Sequence, residues 1–293
     1  MVILNSENIK AYIDYLMYER RLSKNTIIAY KKDLNIIIST LKKDLNQLNK
    51  DDINNFLKNM DASSRTKAHY LTVLNSYYNY LIFTGLLSMN PCDMIKSPKI
   101  EKKLPVYLTI EEIDKLFNIR LNKPIDYRNK AMLELLFATG TRISELTSLT
   151  LSQINFEESI IKVMGKGKKE RIIPIANNAL NYLKVYIYNY REYLIKNTSE
   201  YVFLNKNGEK ISRQGFFKIL KKMAQDSGIN KNISPHVLRH SFATYLLNNG
   251  VDLRVIQELL GHENLETTEI YSHLTSQKIK DDYDNHPHAH LVN

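Results

Sequence analysis

Between Ser6 and Gly85 the apolar residues recur with the period of an α-helix, and this pattern limits the first part of the chain to a bundle of helices. Ile9, Tyr12, Ile13, Leu16 and Met17 fall at i, i+3, i+4, i+7 and i+8, which is a single stripe on one helix. Ser23 stands where it can cap a second helix carrying Ile28, Leu34, Ile37, Ile38 and Leu41. Two more helices are predicted at about 51–60 and 64–84, the last stopped by Gly85. Helical stripes of this length must bury one another, so residues 1–97 read as a four-helix domain. The segment SMNPCDMIKSPKIEKKLP then brings Pro91, Pro98, Pro105 and four lysines with little periodicity, and residues 98–107 read as a linker.

A second, largely helical domain is predicted over 108–274, followed by a tail at 275–293. Thr109 with Glu112 three residues later is a capping box. IIKVMG (160–165) and ERIIPI (170–175) alternate as two strands joined by a Lys-rich turn, and YVFL (201–204) is expected as a third. Helices are predicted at about 177–195, 212–226, 235–249, 252–260 and 265–273. The fold class is mainly α, with a small antiparallel β-sheet in the second domain.

Charge narrows the partner. The 293 residues carry 41 Lys and Arg against 31 Asp and Glu, a net charge of +10. Up to residue 100 the balance is 14 − 9 = +5, and beyond it 27 − 22 = +5, so the excess is no detachable tail. Both parts are suited to a polyanion. The composition, 43% hydrophobic and 25% charged, is that of folded protein and excludes global disorder. No apolar run approaches the ~18–20 residues that span a bilayer, and the start MVILNSENIK lacks a secretory signal's apolar core. Cys92 is the sole cysteine, so no intrachain disulfide forms, and a cytoplasmic protein is expected.

Nucleotide and metal motifs are missing. GKGKK (165–169) lacks the spacing of a phosphate loop, and there is no GxGxxG, HExxH or CxxC. His236 and His240 stand at i and i+4 without the glutamate of a metalloprotease helix, and HPHAH (286–290) reads as a solvated tail. No metal site is therefore expected. Arg142, in ATGTRISELTSL (138–149), follows a glycine at the mouth of a short helix. In SPHVLRHSFATYLLNNG (234–250), Ser234 and Pro235 open a helix that places His236, Arg239 and His240 on one face. Cations crowded near the positive end of a helix dipole suggest a bound anion. LLGHENLETTEIYSHL (259–274) adds His262 after a glycine, and Tyr271 nine residues later.

Taken in order, TGTRISEL, GKGKKERIIPI, HVLRHSFATYLLNNG, LLGH and TTEIYSHL resemble the tyrosine recombinase (phage integrase) family, most closely the bacterial Xer site-specific recombinases of the XerC/XerD type. All six catalytic positions of that family are filled, by Arg142, Lys166, His236, Arg239, His262 and Tyr271. LSKNTIIAYKKDL (22–34) resembles the opening helices of the family's SAM-like core-binding domain, so the likeness covers nearly the whole chain. Thr141, Tyr245, Asn75 and His288 depart from the usual residues; Asn75 stands where many relatives carry a basic residue, which bears on one possible DNA contact and on no catalytic group.

The resemblance implies transesterification. Tyr271 would attack a DNA phosphodiester, giving a 3′-phosphotyrosine and a free 5′-hydroxyl that attacks the partner strand, with no cofactor for the chemistry. Arg142 and Arg239 would stabilise charge on the pentavalent phosphorus, Lys166 would protonate the leaving 5′-oxygen, His236 would assist proton transfer at the tyrosine, and His262 would hydrogen-bond the non-bridging oxygens. Lys24, Lys31, Lys32, Arg65 and Lys67 of the first domain would contact double-stranded DNA. The family's tail docks on a neighbouring protomer, which implies a homo- or hetero-tetramer with a paralogue. It further implies resolution of chromosome dimers at a dif-like site, with a septal DNA translocase (FtsK-type) as activator. The alternatives are an integrase of a phage or conjugative element, a type IB topoisomerase, and a catalytically silent DNA-binding factor.

Overall fold

The computed structural model describes residues 6–100, 106–165 and 170–260, and the chain divides into two compact units, Met1–Lys103 and Leu104–Asn293. The first contains α1 (Ser6–Tyr18), α2 (Lys24–Leu41), α3 (Lys50–Asn59) and α4 (Ser64–Phe83). Each of the last three starts on a side-chain cap. Ser23 Oγ accepts from the Thr26 N–H at 3.2 Å, Asn49 and Asp52 form a reciprocal capping box, and Ser63 Oγ accepts from the Thr66 N–H at 3.2 Å. After α4 the chain turns through Gly85 at φ +72°.

Apolar stripes of the four helices meet in a core of Tyr12, Leu16, Leu34, Ile37, Ile53, Val73, Leu74, Tyr77, Tyr78 and Leu81. Three of the tyrosines in it, all fully buried, each find a partner for the phenol. Tyr12 donates to Ser76 Oγ at 2.7 Å, Tyr78 to the Leu45 carbonyl at 2.7 Å, and Tyr77 to Asn46 Oδ1 at 3.1 Å. Burial raises the pKa of all three above the usual phenol value, so they stay neutral. Asn75 also has a local partner: Asn90 Nδ2 donates to Asn75 Oδ1 at 2.6 Å and to Asn79 Oδ1 at 2.9 Å, which pins the loop after α4 to that helix.

The second unit is built round α6 (Pro124–Thr139), a nearly fully buried helix, with α5 (Ile110–Phe117), α7 (Ile143–Thr147), α8 (Asn177–Val185), α9 (Arg213–Asp226), α10 (Pro235–Asn248) and α11 (Leu253–Leu260). Its sheet has the order β1 (Ile154–Asn155), β2 (Ile160–Met164), β3 (Glu170–Pro174), antiparallel throughout, with Ile161 opposite Ile173 and Val163 opposite Arg171. Thr109 and Glu112 form the capping box of α5, and Ser234 caps α10 with Pro235 at its first position.

Two expectations are corrected. YVFL (201–204) is not a strand of the sheet and makes only isolated bridges, Thr150 with Tyr201 and Leu204 with Lys210. Three of its four carbonyls are satisfied by buried arginines instead: Arg191 Nη2 donates to Tyr201 O at 2.7 Å, Arg191 Nε to Val202 O at 3.2 Å, and Arg128 Nη1 to Leu204 O at 2.7 Å. The third strand is β1. The helix expected over 177–195 ends at Val185 and passes into a π-helical turn, Tyr186–Tyr190, closed by the Arg191 N–H on the Tyr186 carbonyl at 2.7 Å. Burying Tyr186 and Arg191 against the 199–202 segment fixes that irregular turn. The helix expected at 265–273 and the tail at 275–293 lie outside the described residues.

Candidate active site

The site begins where α6 ends. Gly140 takes φ +54°, and a Cβ there would stand 2.7 Å from Phe242 Cδ1 and 2.8 Å from Leu260 Cδ2. A side chain is excluded twice over, by conformation and by space. The turn delivers Arg142 to the N-cap of α7, where its N–H donates to Glu145 Oε2 at 2.8 Å and its Nη1 to Oε1 at 3.1 Å.

Arg239, one turn into α10, is 9% exposed, and its guanidinium donates to the carbonyls of Gly140 and Leu260. Those carbonyls follow α6 and close α11, so the charge faces the negative ends of two helices. The negative ends of these two helices offset the repulsion that Arg239 meets near the positive end of its own helix. Burial and the neighbouring Arg142 push the pKa of Arg239 down to about 10, and it remains charged at neutral pH. Arg142 and Arg239 are thus brought together around one glycine turn. His236 lies in the first turn of α10 and is exposed, as is His240.

Two members of the cluster escaped the sequence reading, Glu145 and Arg171. Arg171 on β3 grips Glu145 with two parallel bonds, Nη1 to Oε1 at 2.9 Å and Nη2 to Oε2 at 2.8 Å, and its Nε donates to Leu259 O at 3.4 Å. Burial pushes the Glu145 carboxyl up, but Arg171 and the Arg142 N–H outweigh it and hold it below the usual carboxylate range. A signal for Arg171 existed: alternation along β3 puts it on the face of Ile173, where a cation needs a buried partner. Among the described residues, three arginines against one carboxylate leave 3 − 1 = +2 around the turn. Side-chain exposure rises from 4% at Glu145 to 16% at Arg171 and 33% at Arg142, so the surplus opens to solvent through Arg142. Such a place suits an anion with several oxygens.

Lys166, His262 and Tyr271 lie outside the described residues. Of the cations expected on DNA, Lys24, Lys31, Lys32 and Arg65 are exposed, and Lys67 is half-buried with its Nζ 3.4 Å from the Lys58 carbonyl. Lys31 and Lys32 line a shallow open cleft of about 510 Å³ with Ile28, Asn35, Ile36 and Ser39 of α2. Among the described residues no His, Cys, Asp and Glu gather in a group that could hold a metal, and no helix is long and apolar enough to cross a membrane.

Comparison with known proteins agrees with this arrangement. The profile of the Phage integrase family matches residues 106–278, and that of the phage integrase N-terminal SAM-like domain matches residues 9–85. The tyrosine recombinase XerD of Oceanobacillus iheyensis is 41% identical over 292 residues, covering 96% of this chain and 98% of the relative. Among solved structures, the XerA recombinase is 29% identical with a TM-score of 0.51, covering 96% of this chain and 98% of that one. The XerH recombinase in its post-cleavage complex with a difH substrate, 22% identical with a TM-score of 0.68 over 95% of this chain and 94% of that one, shares the fold.

Proposed function

The chain belongs to the phage integrase family and is a site-specific tyrosine recombinase, and from that premise we propose that the arginine cluster around Gly140 is its cradle for the scissile phosphate. The observation that carries this reading is the gathering of Arg142, Arg171 and Arg239 beside the Gly140 turn, against one carboxylate among the described residues. Arg142 presents its planar guanidinium to the non-bridging oxygens, with Arg239 behind it, and both stabilise the charge that grows on the pentavalent phosphorus. Each such donor is worth about 2.7–4 kcal/mol in the transition state.

Tyr271 is the nucleophile in this reading. His236 assists removal of its proton, Lys166 protonates the leaving 5′-oxygen, and His262 adds a hydrogen bond to the phosphate. The phosphotyrosine keeps the energy of the broken phosphodiester, so rejoining needs no nucleotide. Residues 1–97 serve as the core-binding domain, with Lys24, Lys31, Lys32, Arg65 and Lys67 on DNA, and 108–274 as the catalytic domain. The XerH substrate is a difH site, and by analogy the substrate here is a dif-like chromosomal site whose recombination resolves chromosome dimers in the cytoplasm. The 275–293 tail docks on a neighbour in a homo- or hetero-tetramer, and a septal DNA translocase activates it.

Covalent trapping on fragments of the host genome tests the reading. The unaltered protein is expected to yield 3′-phosphotyrosyl DNA at one sequence, whereas Tyr271→Phe shifts the same DNA in a gel and yields none. An undiminished adduct from Tyr271→Phe removes that residue from the role, and adducts spread over random sequence point to a topoisomerase.

A further inference from the structure

We infer that Arg171 is a positioning residue for strand cleavage: by occupying both oxygens of Glu145 it keeps that carboxylate from closing on Arg142, and so keeps the Arg142 guanidinium turned to the phosphate. The inference rests on the reading of Arg142 as a phosphate ligand, and adds a residue that this reading leaves unassigned.

The Glu145 carboxylate receives four donors. Oε1 takes Arg171 Nη1 at 2.9 Å and Arg142 Nη1 at 3.1 Å, and Oε2 takes Arg171 Nη2 at 2.8 Å and the Arg142 N–H at 2.8 Å. A carboxylate offers about four lone-pair positions, so this one is saturated. Both Arg171 bonds are shorter than the bond from the Arg142 guanidinium. Of the two arginines on Glu145, the more buried one therefore balances the carboxylate, while Arg142 has 33% side-chain exposure.

Removing the Arg171 guanidinium would leave a carboxylate of 4% exposure without its two-pronged partner. A buried carboxylate cannot be left uncompensated, and the nearest cation is Arg142, three residues away on the same helical turn and already within 3.1 Å. Arg142 would close on it, and the charge around the turn would fall from +2 to +1. Arg171 also sits in the strand that follows residues 166–169, and its Nε reaches the Leu259 carbonyl near the end of α11. It thus joins β3, α7 and α11 through one side chain. Lysine keeps the charge but is a point donor and cannot hold two oxygens in one plane.

The test measures single-turnover adduct formation on a duplex of the site recovered by covalent trapping, with DNA affinity measured alongside. Arg171→Ala is expected to slow cleavage about 10- to 100-fold, the size of one charge-assisted hydrogen-bonded pair, while affinity changes less than about threefold. Arg171→Lys is expected to recover only part of the rate. The deciding measurement is Glu145→Gln placed in the Arg171→Ala background. Removing the carboxylate's charge removes its hold on Arg142, so the double variant is expected to cleave at least about fivefold faster than Arg171→Ala. A residue that merely supported the fold would give a double variant no faster than the single one, and that result overturns the inference. If Arg171→Ala fails to fold by circular dichroism, the same comparison is made between Arg171→Lys and Arg171→Lys with Glu145→Gln, with the same deciding outcome. Wild-type cleavage by Arg171→Ala sinks the inference alone. No adduct from the unaltered protein sinks the reading of Arg142, and the inference with it.

Discussion

Lys130 with Glu134 and the arginines around Glu145 are both buried charge clusters of the same unit, yet they are built to different balances. Lys130 and Glu134 stand one turn apart on α6, with side-chain exposures of 7% and 0% and an N–O distance of 2.8 Å. Lys130 Nζ also donates to the Phe117 carbonyl at 2.6 Å and lies 5.2 Å and 4.7 Å from the ring centres of Phe117 and Tyr182. One cation meets one anion under two aromatic faces, and no charge is left over. Among the described residues the cluster after α6 has three cations for one anion, and its exposure rises outward to Arg142. Burial alone therefore does not mark a functional charge. A surplus with an open side does, because only a surplus has affinity left for a ligand.

The contrast breaks most sharply at Glu134. Glu134→Ala leaves Lys130 buried without its carboxylate and is expected to cost about 3–5 kcal/mol of stability in urea unfolding, whereas Lys130→Met with Glu134→Leu is expected to cost far less. Adduct formation per folded molecule is expected to stay unchanged in the double variant. A selective loss of cleavage there would mean that the closed pair also serves the reaction.

Arg239→Lys probes the other side of the comparison. A lysine ammonium cannot reach the carbonyls of Gly140 and Leu260 and still offer a planar donor to phosphate, so cleavage is expected to fall roughly 10²–10³-fold. Gel-shift affinity is expected to hold, because 41 Lys and Arg share the electrostatic attraction to DNA. Equal losses of binding and cleavage would make Arg239 one more backbone contact and dissolve the distinction between the two clusters.

How much was legible in the sequence follows the reach of each interaction. The caps at Ser23, Thr109 and Ser234 lie within three residues of the groups they bond, and the β2–β3 hairpin spans fifteen residues, 160–174. Periodicity and local chemistry expose such features directly. Arg142 and Arg239 were visible through motifs, and Gly140 through its place before Arg142. The clamp between Arg171 and Glu145 crosses 26 residues, and Arg128 reaches Leu204 across 76, beyond any local pattern. The misread YVFL segment has another cause: its apolar alternation is genuine, but side chains of Arg191 and Arg128 take three of its four carbonyls, which periodicity does not register. The π-turn at Tyr186–Tyr190 has the same origin in Arg191.

A third ion pair supplies the smallest effect and the control for the other two. Lys43 Nζ lies 2.6 Å from Asp52 Oδ1 in the N-terminal unit, closer than Lys130 lies to Glu134. Its lysine is 53% exposed, so water competes for both charges and two side chains must be ordered to meet. Lys43→Ala is expected to cost only about 0.2–1 kcal/mol in urea unfolding, and less as salt is raised. If distance set the energy, this pair would be the stronger of the two. A cost near that of Glu134→Ala, insensitive to salt, would show that burial does not govern the worth of a charge in this protein, and the argument from the buried surplus at Arg142 to a phosphate site would lose its physical footing.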